Sequence, residues 1–133
     1  ASLPKINVVP QDIGRVLLNL INNAFFAVNE KKQNNTSDYK PMVTVTTKKS
    51  TLKNGNNGVE IKVTDNGNGI PKDILDKIFQ PFFTTKPAGS GTGLGLSISK
   101  HIVEAHGGKI WAEQADTGGL AVVILLPKVL TPD

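Results

Sequence analysis

Three asparagines on one predicted helix have the type and spacing needed to bind a hard cation. Asn22 and Asn23 lie three and four residues after Asn19, on a face that also carries Arg15 and Phe26. Asparagine is unfavourable inside a helix because its side chain competes for backbone hydrogen bonds. Amide oxygens one turn apart are suitable ligands for a hard cation or for water linked to phosphate. The face is therefore either an ordinary solvated surface or a cation and phosphate site.

A glycine-rich stretch, DNGNGIPKDILDKIFQPFFTTKPAGSGTGLGLS, runs from residue 65 to residue 97. Asp65 ends a predicted strand, where a carboxylate can accept hydrogen bonds from an exocyclic amine. Gly67 and Gly69 permit positive φ and close approach to a flat ligand, although a plain Asp-Asn-Gly turn has the same composition. Glycines then alternate over residues 89–95 and lead into a helix, where free backbone N–H groups favour phosphate. The pattern is neither a Walker P-loop nor a Rossmann fingerprint.

Composition limits the class of protein. The length of 133 residues predicts one domain, and 38% apolar residues are sufficient for one core. No apolar run approaches the roughly 18 residues of a membrane span, and the first residues lack the regions of a signal peptide. The chain has no cysteine, which excludes disulfides and thiolate chemistry and fits a reducing compartment. Lys and Arg exceed Asp and Glu by 15 to 11, without the basic stripe and interleaved aromatics of a nucleic-acid site.

The first half of the chain predicts a helix and a hairpin. Pro10 suits a first helical turn, and apolar residues recur at helical spacing from Ile13 to Val28. The polar tract over residues 29–41 is predicted to be a surface loop. Alternating apolar residues then predict strands around residues 43–46 and 59–64, joined by a turn.

The second half predicts a short helix, a second long helix and a second hairpin. The long helix covers about residues 94–106, with Gly107 and Gly108 as its stop. Strands follow at residues 109–115 and 120–126, and the last is continuously apolar, as in a central strand. The whole order favours an α/β sandwich with helices on one face of a mixed sheet.

Four motifs, NLINNA, DNGNGIP, FQPFFTTK and GTGLGLS, occur in that order. With them the chain resembles the catalytic ATP-binding domain of sensor histidine kinases, which shares its fold with gyrase, heat-shock chaperone and mismatch-repair ATPases. The resemblance covers about residues 3–127 and implies a Bergerat-type fold. Such a fold is a two-layer α/β (α+β) sandwich, whose mixed, mainly antiparallel sheet is covered on one face by about three helices. It also implies one domain over residues 1–133, without its first edge strand and without a dimerisation and phosphoacceptor domain.

The resemblance assigns roles to matching residues and implies ATP and Mg²⁺ as cofactors. Asn23 matches the asparagine that ligates Mg²⁺, and Asn19 matches its catalytic partner one turn earlier. Asp65 matches the aspartate that binds the adenine amine, and Gly67 and Gly69 match the lining of the base pocket. The other residues implied to contact ATP, or to flank the loop that closes over it, are Ile70, Phe79, Phe82, Phe83, Thr84, Thr85, Lys86, Gly91, Thr92, Gly93, Leu94, Gly95 and Leu96.

Two positions depart from the family pattern. Phe26 stands where many relatives carry a basic residue, so Lys86 is expected to meet the phosphate charge, with Arg15 as the weaker candidate. Leu120 follows Gly119 where relatives often have a threonine whose hydroxyl supports the adenine aspartate.

The implied function is transfer of the γ-phosphoryl of ATP to a histidine on a separate dimerisation hairpin, with a response regulator further along. His101 and His106 are interpreted as structural, because the acceptor is followed by an acidic residue and these are not. Trp111 is interpreted as a core residue. The isolated domain is expected to be a monomer and the parent a dimer, with a cytoplasmic location and no nucleic-acid partner.

Two other functions remain as alternatives. An ATP-hydrolysing switch of the gyrase or chaperone type would carry a glutamate at position 19 to activate water, and Asn19 does not titrate. A degenerate nucleotide-binding module without transfer is opposed by the intact Asn23, Asp65 and glycines, and is left open by Phe26 and Leu120.

Overall fold

The computed structural model describes residues 10–34, 38–51, 57–81 and 95–127. Within these ranges the chain forms two α-helices, one 3₁₀ helix and four strands. Their order is α1 (Pro10–Asn34), β1 (Val43–Thr51), β2 (Asn57–Asp65), the 3₁₀ helix (Lys72–Phe79), α2 (Gly95–Ala105), β3 (Lys109–Gln114) and β4 (Leu120–Pro127). The predicted order of helices and hairpins is confirmed.

The four strands form one sheet in the order β1-β2-β4-β3, and each neighbouring pair is antiparallel. β4 lies between two other strands and is buried along most of its length, as its continuous apolar sequence predicted. Thr64 of β2 pairs with Ala121 of β4, so the end of β2 lies beside the start of β4. This register brings Asp65 next to the turn between β3 and β4.

The helices pack on one face of the sheet and enclose the core. Val16 and Leu20 of α1 and Val103 of α2 lie against alternate residues of β2 and β4. Leu20 is 2% exposed and Leu126 is 0% exposed, and full burial of such a side chain contributes about 1.5–3 kcal/mol. This single core confirms the two-layer arrangement expected from the sequence.

The opposite face of the sheet carries Trp111, which corrects one prediction. Ile110 packs against the core beneath the helices, and successive side chains of a strand point to opposite faces. Trp111 therefore lies on the open face, half-buried, beside its cross-strand neighbour Val123. Its Nε1 donates a hydrogen bond to Glu113 Oε1 at 2.8 Å. The interpretation of Trp111 as a core residue is wrong.

The first helix extends beyond its predicted end. Residues 29–34 are helical, although the polar tract was predicted to be a loop from residue 29. Glutamate, lysine and glutamine are good helix formers, and Lys31 and Lys32 suit the negative end of the helix dipole. Among the described helices, none combines the length and the apolar character that crossing a membrane requires.

The second helix ends as the sequence predicted, in a Schellman motif. Gly107 has φ +76°. Its N–H donates to the Glu104 carbonyl at 2.9 Å, and the N–H of Gly108 donates to the Val103 carbonyl at 3.0 Å. These two bonds satisfy carbonyls at the end of the helix and turn the chain directly into β3.

Replacing two glycines by alanine should change stability in opposite directions. In α1, Gly14 is exposed and no described neighbour lies within 4 Å of an added Cβ, so Gly14→Ala should add about 0.8–1.0 kcal/mol to the free energy of unfolding. A Cβ at Gly108 would meet the backbone oxygen of Leu125 and lie 3.1 Å from Leu126 Cδ2. Gly108→Ala should therefore destabilise the domain by about 1–3 kcal/mol. Urea unfolding measures both, and a Gly108→Ala variant as stable as the unchanged chain would contradict this packing.

Candidate functional site

Asp65 is the buried carboxylate at the end of β2. Asp65 is 5% exposed and lies on the same face of the sheet as the core residue Val63. The N–H of Gly67 donates to Asp65 Oδ1 at 2.8 Å, and the N–H of Leu120 donates to the same oxygen at 3.3 Å. Within the described part of the chain, this leaves Oδ2 without a donor. The carboxylate is therefore held by Oδ1, and Oδ2 is left available to accept a further hydrogen bond.

The electrostatics of Asp65 favour an incoming donor. Burial raises the pKa of this carboxyl above its usual value, while the N–H bonds from Gly67 and Leu120 and the positive charge of Lys31 lower it in part. A perturbed carboxyl of this kind is typical of functional sites, although structural networks also produce it. An N–H group from a ligand would supply the stabilisation that the described residues leave incomplete.

Thr117 and Gly119 support Asp65 and were not among the predicted site residues. Thr117 Oγ1 donates to the backbone oxygen of Asp65 at 2.7 Å. A Cβ at Gly119 would overlap both the backbone oxygen and Oδ1 of Asp65. Leu120, which follows Gly119, has no side-chain hydroxyl, and its backbone N–H donates to the carboxylate. The sequence signal for these supports is the turn DTGG at residues 116–119, between the two strands of the second predicted hairpin.

The two glycines after Asp65 allow close packing of the backbone. A Cβ at Gly67 would lie 2.9 Å from Ala27 Cβ, so α1 presses directly on this turn. Gly69 has φ +74°, and a Cβ there would lie 2.6 Å from the backbone oxygen of Gly118. The fold itself requires both glycines, and their contact with a base remains a prediction.

Asn66 fixes the other side of the turn after Asp65. Its Oδ1 accepts hydrogen bonds from the N–H of Met42 at 2.8 Å and from the Tyr39 hydroxyl at 2.9 Å, and its Nδ2 donates to the Lys40 carbonyl at 2.8 Å. Lys31 Nζ lies 4.9 Å from the centre of the Tyr39 ring. Desolvation by burial, and secondly the negative charge of Asp65, raise the pKa of Tyr39. Residues 39–41, which were predicted to lie in a loop, and Met42 are therefore part of the support of the site.

The asparagine face of α1 divides into two parts. Asn19 and Asn23 are half-buried, while Arg15 and Asn22 are exposed. Asn19 Nδ2 donates to Ser99 Oγ of α2 at 3.4 Å, so this side of α1 faces the second helix. The solvated interpretation thus holds for Asn22, and the half-buried pair keeps the spacing expected of a cation site.

One line of residues along α1 connects the asparagines with the turn after Asp65. Asn19, Asn23 and Ala27 are spaced by four residues, and Ala27 contacts Gly67. Since a helix rises 1.5 Å per residue, Asn23 lies about 6 Å along the axis from this contact. The structure therefore brings Asn23 and the segment that carries Asp65 into one region.

The other predicted contacts fall into three groups. Phe79 and Leu96 are half-buried and pack against the core, and Gly95 begins α2. Ile70 lines an open cavity of about 470 Å³ between residues 68–71 and the β3–β4 turn, next to Gly119 but without Asp65 in its wall. The predicted residues outside the described ranges are Phe82, Phe83, Thr84, Thr85, Lys86, Gly91, Thr92, Gly93 and Leu94.

The donor set fits a magnesium ion that arrives with phosphates. Among the described residues, no group of three or more His, Cys, Asp or Glu side chains could hold a metal ion. Magnesium commonly keeps several waters and takes only one or two protein oxygens together with substrate phosphates. The amide oxygens on α1 meet that requirement, whereas a resident cation would need more protein ligands.

Comparison with known proteins identifies the class of protein. Residues 8–130 match the family described as histidine kinase-, DNA gyrase B- and HSP90-like ATPase, and the chain belongs to this family. It is 39% identical over 130 residues to the sensor histidine kinase ZraS of Escherichia coli (strain K12), covering 98% of this chain and 24% of ZraS. The chain thus spans about a quarter of the length of this curated relative.

Solved structures agree with this assignment. The catalytic domain of histidine kinase ThkA superposes with a TM-score of 0.73 at 34% identity, over 94% of this chain and 72% of that one. Full-length ShkA in complex with AMPPNP superposes with a TM-score of 0.67 at 26% identity, over 93% of this chain and 23% of that one. The resemblance read from the four motifs is confirmed, and the chain is an ATP-binding catalytic domain of the kind found in sensor histidine kinases.

Asp65→Asn should stabilise the ligand-free domain at neutral pH. Asparagine keeps an oxygen for the N–H groups of Gly67 and Leu120 and removes a buried negative charge. Because the pKa of Asp65 is raised from 3.8 on folding, the folded state holds the proton more tightly than the unfolded state. The stability of the unchanged chain should thus fall as pH rises from 3.8 through the raised pKa. Urea unfolding across this range should show the advantage of the variant appearing as pH rises.

The matched control is Asp116→Asn, which removes an exposed carboxylate from the adjacent turn. It should change the free energy of unfolding at neutral pH by less than about 0.5 kcal/mol. An Asp65→Asn variant that is less stable than the unchanged chain at neutral pH would show that the buried charge is fully compensated.

Proposed function

We propose that this domain binds Mg-ATP and donates the γ-phosphoryl group to a histidine on the dimerisation hairpin of its parent sensor kinase. The observation that carries the proposal is the buried Asp65, held by two N–H donors on Oδ1, close to the line of Asn19 and Asn23. Family membership and the similarity to ZraS support it. The complex of ShkA with AMPPNP, a nonhydrolysable ATP analogue, supports a nucleoside triphosphate as the ligand.

Asp65 would select adenine. Its Oδ2 has no donor among the described residues and would accept a hydrogen bond from the exocyclic amine of the base. Guanine presents a carbonyl oxygen at the same place, which would set two acceptors against each other. Leaving a buried polar group unpaired costs about 1–3 kcal/mol, enough to favour ATP over GTP.

Asn23 would supply the amide oxygen for Mg²⁺, and Asn19 would assist from one turn earlier. Phosphoryl transfer needs mainly positioning and neutralisation of charge. When bound, Mg²⁺ would neutralise the phosphate oxygens. Phe26 offers no charge at the position where many relatives have a basic residue, so the remaining positive charge would come from Lys86.

The phosphoryl acceptor would lie outside this domain. His106 is 4% exposed, and its Nδ1 donates to the Ile102 carbonyl at 2.8 Å, so a phosphoryl group would reach it only after local unfolding. His101 is exposed, but the residue that follows it is Ile102 and not an acidic residue. The proposed partners are the dimerisation hairpin and, through it, a response regulator, with no nucleic acid. The domain alone would be a monomer in a dimeric parent, placed in the cytoplasm.

Millimolar Mg-ATP should stabilise the domain against heat. At about 100 times the dissociation constant the gain is roughly 2.7 kcal/mol. Asn23→Ala should abolish most of this gain because it removes the proposed ligand oxygen. Differential scanning fluorimetry with Mg-ATP, Mg-GTP and ATP with a chelator provides the measurement.

The matched control is Asn22→Ala, which changes the exposed neighbour on the same helix and should leave the stabilisation intact. GTP should stabilise less than ATP. No shift with Mg-ATP, or an equal loss in both asparagine variants, would refute the proposed site.

The isolated chain should neither phosphorylate itself nor hydrolyse ATP quickly. The described residues form no acceptor hairpin, and Asn19 cannot act as the general base, which typically contributes about 10²–10⁴-fold. Adding the parent's dimerisation hairpin should produce transfer, because the bound imidazole supplies an oriented nucleophile. The measurement is transfer of label from γ-labelled ATP, without and with the hairpin.

Two outcomes would contradict this assignment. Acid-labile label on His101 or His106 of the isolated chain would place the acceptor within the domain. Rapid hydrolysis without the hairpin would instead indicate an ATP-driven switch of the gyrase or chaperone type.

A further inference from the structure

Ser99 is a buried polar residue with no assigned role. Three described polar side chains are buried, namely Asp65, Ser99 and His106. Asp65 belongs to the site, and the His106 ring bonds to the carbonyl of Ile102 near the end of its own helix. Ser99 is 0% exposed in the middle of α2, and its Oγ accepts a hydrogen bond from Asn19 Nδ2 at 3.4 Å.

Burial alone does not account for a hydroxyl at position 99. Val103, one turn further along α2, is also 0% exposed and belongs to the core. Burying a hydroxyl is unfavourable unless it is hydrogen-bonded, so the serine contributes little by packing alone. Compared with an apolar residue, the hydroxyl of Ser99 adds hydrogen bonding, which includes its bond to Asn19.

This bond sets the orientation of the Asn19 amide. The amide has a donor end, Nδ2, and an acceptor end, Oδ1, which diverge from the same carbon. Because Nδ2 donates to Ser99, Oδ1 is turned away from that hydroxyl. A hard cation and its bound water need the oxygen and not the nitrogen. The end of the amide that is turned away from α2 is therefore the oxygen.

We propose that Ser99 is a positioning residue of the nucleotide site, which holds the Asn19 amide with its oxygen towards Mg-ATP. The inference rests on the proposed function, since it assumes that Asn19 serves Mg-ATP. It deepens that function by linking α2 to α1 across 80 residues of sequence. α2 begins at Gly95, one turn before Ser99, so the link joins the first half of α2 to the asparagine face.

The effect should appear as a loss of magnesium dependence. Residues that orient metal-site ligands typically change metal affinity or activity by about 10–100-fold when they are replaced. In Ser99→Ala, the ratio of the ATP dissociation constants without and with Mg²⁺ should fall by about 10-fold. The affinity measured in a chelator should stay near that of the unchanged chain. Isothermal titration calorimetry of the chain measures both constants.

Two further variants separate positioning from packing. Ser99→Thr keeps the hydroxyl, and circular dichroism shows whether the variant is folded. The folded variant should keep the ratio of the ATP dissociation constants without and with Mg²⁺, here called the magnesium ratio. Val103→Ala removes an equally buried side chain from the same helix. It should lower the melting temperature and leave the magnesium ratio unchanged.

A double-mutant cycle tests whether Ser99 acts through Asn19. If it does, Asn19→Ala and the double variant with Ser99→Ala should show the same magnesium ratio. Additive losses, or an unchanged ratio in Ser99→Ala, would overturn the inference while leaving the proposed function in place.

The bond itself can be tested without any nucleotide. In the ¹⁵N spectrum of the ligand-free chain, Ser99→Ala should shift the side-chain amide signals of Asn19, whereas Val103→Ala should not. Unmoved Asn19 signals would overturn the inference independently of ATP. Absence of Mg-ATP binding by the unchanged chain would overturn the proposed function, and the inference with it.

Discussion

The fold places a buried carboxylate at the junction of two strands, and the site depends on how that charge is held. Asp65 ends β2 beside the start of β4, and the N–H of Leu120 reaches Oδ1 only because the antiparallel register sets these strand ends side by side. Gly119 must lack a side chain for the carboxylate to fit, and Thr117 holds the adjoining carbonyl. The sheet thus positions the carboxylate of Asp65, and the carboxylate restricts which residues can occupy the adjoining turn.

A charge held in this way is incompletely stabilised, and this links function to stability. Burial raises the pKa of Asp65 despite two N–H bonds and the nearby Lys31, so the empty domain carries an electrostatic cost. A ligand amine that donates to Oδ2 would reduce that cost. Part of the binding free energy would then come from stabilising a charge that is incompletely stabilised in the ligand-free domain. A site optimised for the stability of the empty fold would carry an amide here and would lose the charge that attracts the ligand.

Local patterns predicted those parts of the fold that depend on neighbouring residues. The end of α2 at Gly107 and the buried strand β4 follow from glycine chemistry and apolar runs, and both were correct. The sequence did not predict the supports of the site, because their partners are remote: Thr117 lies 52 residues from Asp65, and Ser99 lies 80 from Asn19. The face on which Trp111 lies depends on the pairing of β3 with β4, and hydrophobicity alone could not decide it.

The first helix connects the turn after Asp65 with α2, because residues along one side of the helix contact both. Ala27 packs on Gly67 beside the carboxylate, and Asn19, two turns earlier, bonds to Ser99 of α2. Asn23 lies between these two contacts on the same helix. Its position therefore depends on the packing of Ala27 and on the hydrogen bond of Asn19, and not on its own bonds alone. A shift of α1 along its axis would therefore move the proposed metal ligand relative to Asp65, so helix geometry would set the distance between the proposed base and phosphate subsites. This explains why small residues occur where α1 meets the turn: a side chain larger than Ala27, or any side chain at Gly67, would push the helix and its asparagines away from the carboxylate.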